Sequence, residues 1–180
     1  MSRTDKEARL KDFISEAFVP RGEEPAREVC LTLFVRSPDS PAARALYAAW
    51  SEGLIEGAQI LVVAGDTTVE EPSAPSVFGI PGIECRVLGD SSFGPAHEQL
   101  TLSHSRVWIG DCLRRDPTKR DAFELYHPND ASICVFAIAS FKKLWDRSRP
   151  LKHSATGQLS PEIIAARSDD PNALPRNPRH

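Results

Sequence analysis

An excess of charge of either sign is missing from this 180-residue chain, in which 22 Lys and Arg stand against 25 Asp and Glu for a formal net charge of −3. So even a balance supplies no general pull toward nucleic acid or anionic lipid, and no strong nucleic-acid signature is present. Long apolar runs are missing too. Nothing approaches the ~18 consecutive apolar residues that a membrane span needs. The N-terminal stretch MSRTDKEARLKDF carries charges but no apolar core of the kind that marks a secretory signal. Cysteine is sparse and scattered: Cys30, Cys85, Cys112 and Cys134 lie far apart, mostly inside apolar runs, and are expected to be buried free thiols. Together these absences point to a cytoplasmic protein.

The usual cofactor and nucleophile motifs are also lacking. Neither Gly-x-Gly-x-x-Gly nor a Walker lysine loop occurs, which argues against a nucleotide cofactor, and none is expected. There is no Gly-x-Ser-x-Gly elbow, and Ser91-Ser92-Phe93-Gly94 is too generic to stand for one. His97, His104, His127 and Cys112 show no metal-type spacing and fall on different elements, so no metal site is expected. No internal repeat is visible.

What is present is an ordinary globular composition, 41% apolar, long enough for one domain with a sizeable core. A helix is expected over Thr4–Phe18, where Leu10, Phe13, Ile14 and Phe18 recur at helical spacing. Glu28–Arg36 (EVCLTLFVR) and Ala58–Ala64 (AQILVVA) are near-continuous apolar runs, the mark of strands buried on both faces. Ser40 as N-cap and Pro41 at the first helical position start a helix that reaches about Leu54. Strand, helix, strand in this order makes a βαβ unit with parallel neighbours.

Residues 65–83 read as loop with a short strand at Val77–Ile80, followed by strands at Glu84–Leu88, Ser105–Gly110 and Ala122–His127. A last strong helix runs from Ala131 to about Arg147, capped by Asn129 or Asp130, with Cys134, Ile138, Phe141, Leu144 and Trp145 on its buried face. These elements predict a three-layer α/β/α sandwich with a mixed, mostly parallel sheet of about five to seven strands. Residues 1–150 form the domain. Residues 151–180, rich in Ser, Asp, Asn, Pro, Arg and His, are expected to be a mostly disordered tail or docking arm with one weak apolar cluster at Ile163–Ala166.

In an open sheet of this kind ligands bind outside the carboxyl ends of the strands, which brings Arg36, Asp66 and the Asp111–Arg115 stretch toward one edge. A basic group, Arg106, Arg114, Arg115, Lys119 and Arg120, lies in and around the charged loop, interleaved with Asp111, Asp116, Asp121 and Glu124. Arg forks suit phosphate, whereas mixed-sign loops are usually solvated ion-pair networks. Trp50, Trp108 and Trp145 fall on apolar faces and are expected in the core.

Over about residues 28–148 the order of elements, the segment His97-Glu98-Gln99, Gly110-Asp111, the acidic strand holding Glu124 and the helix ending Phe141-Lys-Lys-Leu-Trp145 resemble a half-domain of the phospholipase D superfamily. The family motif is His-x-Lys, four residues, Asp, six residues, then Gly-Ser or Gly-Thr. The resemblance implies that His97 holds the place of the motif histidine, Gln99 that of the lysine and His104 that of the aspartate. Gly110-Asp111 replaces Gly-Ser one residue early, and Glu124 matches a later carboxylate.

In the family a histidine attacks phosphorus while lysine and Ser or Thr stabilise the equatorial oxygens. A neutral Gln99 donates a hydrogen bond without neutralising charge, and Asp111 repels phosphate. The resemblance therefore implies a catalytically degenerate domain that serves as a binding or assembly module. The candidate site residues are His97, His104 and Glu124 for catalysis and Gln99, Arg106, Arg114 and Arg115 for an anion. The alternatives are an atypical phosphodiesterase or nuclease working as a homodimer through His97, and an unrelated α/β domain. Expected partners are a second copy of the chain, another protein or a phosphate-containing ligand.

Overall fold

A computed structural model describes residues 3–19, 29–65, 76–89, 97–110 and 124–151. The first helix, α1 (Arg3–Ser15), buries Lys6, Leu10, Phe13 and Ile14, one stripe at helical spacing. Strand β1 (Cys30–Val35) follows, then α2 (Pro41–Ser51). Ser40 Oγ accepts from the Ala43 N–H at 3.2 Å and Pro41 opens the helix, the arrangement its sequence announces. Gly53, at φ 72°, closes α2 with its own N–H on the Trp50 carbonyl and that of Leu54 on the Ala49 carbonyl. Next come β2 (Gln59–Ala64), β3 (Glu84–Leu88), β4 (Glu98–Leu102), β5 (Arg106–Gly110) and β6 (Glu124–His127). The chain then forms α3 (Ala131–Arg147) and β7 (Ser148–Pro150). Asp130 caps α3, its Oδ1 accepting from the Ile133 N–H at 3.0 Å.

Among the described residues the strands form one seven-stranded sheet in the order β6-β5-β4-β1-β2-β3-β7. β1, β2 and β3 run parallel, with Leu33 beside Val62 and Val63 beside Arg86. The expected βαβ pairing of the first two strands is present. The expectation of a mostly parallel sheet is corrected: β1–β4, β4–β5, β5–β6 and β3–β7 are antiparallel, four pairings against two. The reason is local. Only the three residues Ser103–Ser105 separate β4 from β5, and a link that short can join antiparallel strands only.

Two strands lack a sequence signal, β4 and β7, and the short strand expected at Val77–Ile80 is instead a 3-10 turn, Val77–Gly79. Pro81 follows that turn and Gly82 takes φ 78°, so the chain bends where a strand would have to continue.

Helices cover both faces. α1 and α2 lie on one, where Leu10, Phe13 and Ile14, with Leu46 and Ala49, pack on Leu31, Leu33, Val35, Ile60, Val62, Leu100 and Trp108. α3 lies on the other. Its Phe141 and Leu144 meet Phe34, Val63 and Leu88, and its Cys134 and Ala137 meet Val107. The alternation of neighbouring side chains between the two clusters is the period-two pleat of strands buried on both sides. Trp108 is fully buried, while Trp50 and Trp145 are half-buried against the clusters. Of the cysteines, Cys85 and Cys134 are buried free thiols and Cys30 is half-buried and free. Cys112 and the expected tail of residues 152–180 lie outside the described residues. No described helix is long and apolar enough to cross a membrane.

Candidate functional site

The sheet's directions bring particular strand ends together. β1, β2 and β3 end at one edge, and because β5 runs parallel to β1, Gly110 ends there as well. β4 and β6 run the other way and start there. Glu98 stands opposite Gly110, and Gly110 opposite Glu124, so the three form one row across β4, β5 and β6. His97 immediately precedes that row and Arg36 immediately follows β1 beside it. Sequence order and register thus bring His97, Glu124 and Arg36 to the same edge. Asp66, Asp111, Arg114, Arg115, Lys119 and Arg120 belong to segments outside the described residues.

The row carries carboxylates. Glu98 is 1% exposed, and its Oε1 accepts from the backbone N–H of Arg36 at 2.9 Å, tying the start of β4 to the end of β1. Glu124 is reached from far along the chain: Lys6 Nζ, on α1, sits 3.1 Å from Glu124 Oε1, with the two side chains 11% and 9% exposed. Residues directly opposite in an antiparallel pair point to the same face. Glu98 and Glu124 therefore share the α1 and α2 face, with Gly110 between them.

Gln99, one residue on, points to the other face. Its Nε2 donates to the Ala137 carbonyl of α3 at 2.9 Å, and the residue is 6% exposed. The amide at this position is thus engaged in holding α3 against β4. Next to it, Thr101 Oγ1 hydrogen-bonds Thr32 Oγ1 across the β1–β4 pair, a buried polar contact satisfied within the sheet.

The other candidates lie elsewhere. His104 is exposed in the Ser103–Ser105 turn at the far end of β4, about 17 Å from His97 at ~3.4 Å per residue, so the two histidines of one chain do not meet. Arg106, at the start of β5, is 7% exposed in its side chain, and its Nη2 donates to the Phe13 carbonyl at 3.2 Å. The same nitrogen donates to Glu16 Oε2 at 2.8 Å, and the guanidinium lies 4.6 Å from the Phe13 ring centroid. That guanidinium closes the C-terminal end of α1 and stands at the edge opposite to His97.

Two residues of this edge had no sequence signal. Glu98 is only the variable position of a His-x-Gln triplet, and no local rule connects Lys6 with Glu124 across 118 positions of sequence.

No protein-family profile and no curated protein sequence matches the chain. Solved structures do. NucT from Helicobacter pylori superposes with a TM-score of 0.53 at 15% identity, over 83% of this chain and 92% of NucT. Nuc from Salmonella typhimurium, a phospholipase D family member, gives a TM-score of 0.53 at 14% identity over 81% of this chain and 90% of Nuc. TrmBL2, an archaeal chromatin protein whose structure shows a novel mode of DNA binding, gives 0.56 at 14% identity. There the match spans 83% of this chain and about half, 52%, of TrmBL2. At such identities the likeness is one of fold, and the expectation drawn from the motif and the element order stands at that level: the chain has a phospholipase D-like α/β fold.

Proposed function

We propose that this chain is a catalytically silent phospholipase D-like domain that works as a binding or assembly module. One observation carries the reading. At the position that the resemblance assigns to the motif lysine stands Gln99, buried and donating to the Ala137 carbonyl. A phosphoryl-transfer transition state concentrates negative charge on the equatorial oxygens, and catalysis depends on cations held ready for it. A neutral amide engaged elsewhere supplies none. The neighbouring Glu98 and Glu124 add carboxylates to the edge, one of them paired with Lys6. A binding role draws support from TrmBL2, in which the fold occurs in a DNA-binding chromatin protein. Nucleic acid therefore belongs among the phosphate-containing ligands to test, beside a protein partner, although the chain's charge is balanced.

A second reading, an atypical phosphodiesterase acting as a homodimer through His97, rests on the row that brings His97 and Glu124 to one edge. Hydrolysis of a generic phosphodiester and of single- and double-stranded DNA, by the wild type and by His97→Ala, separates the two. The expected result is no turnover above background in either protein, with any retained oligonucleotide binding indifferent to the substitution. Turnover that vanishes in His97→Ala refutes the silent-module reading and establishes the second.

A further inference from the structure

Most of the cations on this chain are engaged. Lys6, Lys11, Arg44 and Lys142 hold carboxylates, and Arg9 and Arg86 lie over the rings of Tyr126 and Trp145. Among the described residues, Lys143, Arg147 and Arg149 have no such partner. All three are exposed, and they gather where α3 ends and β7 begins. Asp146, the carboxylate in their midst, is held by Lys142 at 2.8 Å. Lys143 and Arg147 stand one helical turn apart, where like charges repel unless an anion lies between them.

A second feature lies on the same line. Phe136 is 77% exposed, and Lys143 and Arg147 follow it at positions where a helix returns to nearly the same face. The buried residues Cys134, Ala137, Phe141 and Leu144 occupy the other side. At ~1.5 Å per residue, Lys143 stands about 10 Å and Arg147 about 16 Å from Phe136 along the axis.

We infer that the outer face of α3 binds single-stranded nucleic acid, with Phe136 stacked on one base and Lys143, Arg147 and Arg149 holding phosphates farther along the strand. The inference rests on the reading of this chain as a binding module. An aromatic ring in line with unpaired cations is the combination that a single strand requires, since its bases offer apolar faces and its backbone a row of anions. A duplex hides those base faces. An acidic peptide satisfies the cations and leaves the ring unused. A lipid surface needs an apolar face along the helix, whereas Val135 and Phe136 confine the large exposed apolar side chains of α3 to one turn.

Fluorescence anisotropy of a labelled oligothymidylate of about 12 nucleotides, titrated with the full chain at ~20 to ~200 mM salt, tests it. A matching oligouridylate in parallel assigns DNA or RNA. The expected result is binding whose logarithm falls against the logarithm of salt with a slope of about −2, from three phosphates at ~0.7 each. In Lys143→Gln/Arg147→Gln the slope should shrink to about −0.7, and Phe136→Ala should weaken binding about tenfold at an unchanged slope. Binding to a duplex of the same length should be indifferent to Phe136→Ala. The thermal melts of these variants should match wild type, because the replaced side chains are exposed. No binding at the lowest salt overturns the inference, as does oligonucleotide binding that ignores Phe136→Ala. So does a Phe136→Ala loss seen on phosphatidylserine vesicles and not on the oligonucleotide, which assigns the face to a membrane surface. Catalytic silence is tested separately, by turnover in wild type and His97→Ala, so the two failures are told apart.

Discussion

Arg106 divides an anion-site reading from an architectural one, and the difference is measurable as stability. Replacing it by Met keeps an unbranched apolar side chain and removes the guanidinium that lies over Phe13. Three contributions are lost. The hydrogen bond from a charged donor to the Phe13 carbonyl, 3.2 Å, amounts to ~1.5–3 kcal/mol. The cation over the Phe13 ring at 4.6 Å amounts to ~1–2 kcal/mol when desolvated. The pair with Glu16, whose side chain is 65% exposed, adds only about 0.5 kcal/mol. Against these, Arg106 Nε is buried with no acceptor among the described residues, and removing such a group relieves ~1–3 kcal/mol of desolvation. The difference leaves roughly 2 kcal/mol of destabilisation, a fall in Tm of about 4–8 °C for a chain of this size. Urea denaturation followed by far-UV circular dichroism measures it, with Glu16→Ala as the control expected within about 0.5 kcal/mol of wild type. A stable Arg106→Met protein that has lost affinity for inorganic phosphate or an oligonucleotide would refute the reasoning and return Arg106 to an anion site.

Two further predictions concern a thiol and a cap. Burial pushes the Cys85 thiol up to about 12 from 9.0, so the folded state keeps a proton that the unfolded chain releases first. The stability this contributes is complete below pH 9.0 and is lost as pH rises from there toward 12. Wild type should therefore lose more Tm between pH 8 and pH 10.5 than Cys85→Ala does, and equal losses in the two proteins would count against the effect. Ser40→Ala removes the acceptor of the Ala43 N–H and should cost about 1 kcal/mol in urea denaturation, whereas Ser40→Gly should cost only a few tenths. A cost within error of zero would mean that the Pro41 start alone holds α2.

What the sequence made legible was whatever a short window encodes. β1 and β2 are continuous apolar runs because they are buried on both faces, and the β3 run Glu84–Leu88 has the same bounds in the fold. α2 and α3 carry their caps and stripes in order. β4 was hidden because its polar residues are satisfied by partners far off in the chain: Glu98 by the Arg36 N–H, Gln99 by the Ala137 carbonyl, Thr101 by Thr32. A window over Glu98–Leu102 sees three polar residues in five, whereas the fold buries all five. β7 has three residues, too few for any period to show, and owes its state to pairing with β3. The pairings of Lys6 and Arg106 were hidden for the same reason. Each is a cation whose partners, Glu124 for one and the end of α1 for the other, are brought by the tertiary fold alone.

That dependence on distant partners bears on the candidate site. The strand period of two puts Glu98 and Gln99 on opposite faces, so a change at position 99 acts on α3 and leaves the carboxylate row untouched. Gln99 is also the side chain that hydrogen-bonds the Ala137 carbonyl midway along α3, between the Val107 cluster and the Phe34 cluster. A lysine at this position would have to satisfy that carbonyl with a desolvated ammonium, or withdraw toward the edge and leave the carbonyl without the donor it now has. Because the Ala137 carbonyl also accepts within the α3 ladder, the loss is that of one further hydrogen bond, about 0.5–1.5 kcal/mol. The amide at position 99 is therefore bound up with how α3 is held on the sheet. Gln99→Lys is accordingly a change to the packing of a helix before it is a change to a charge.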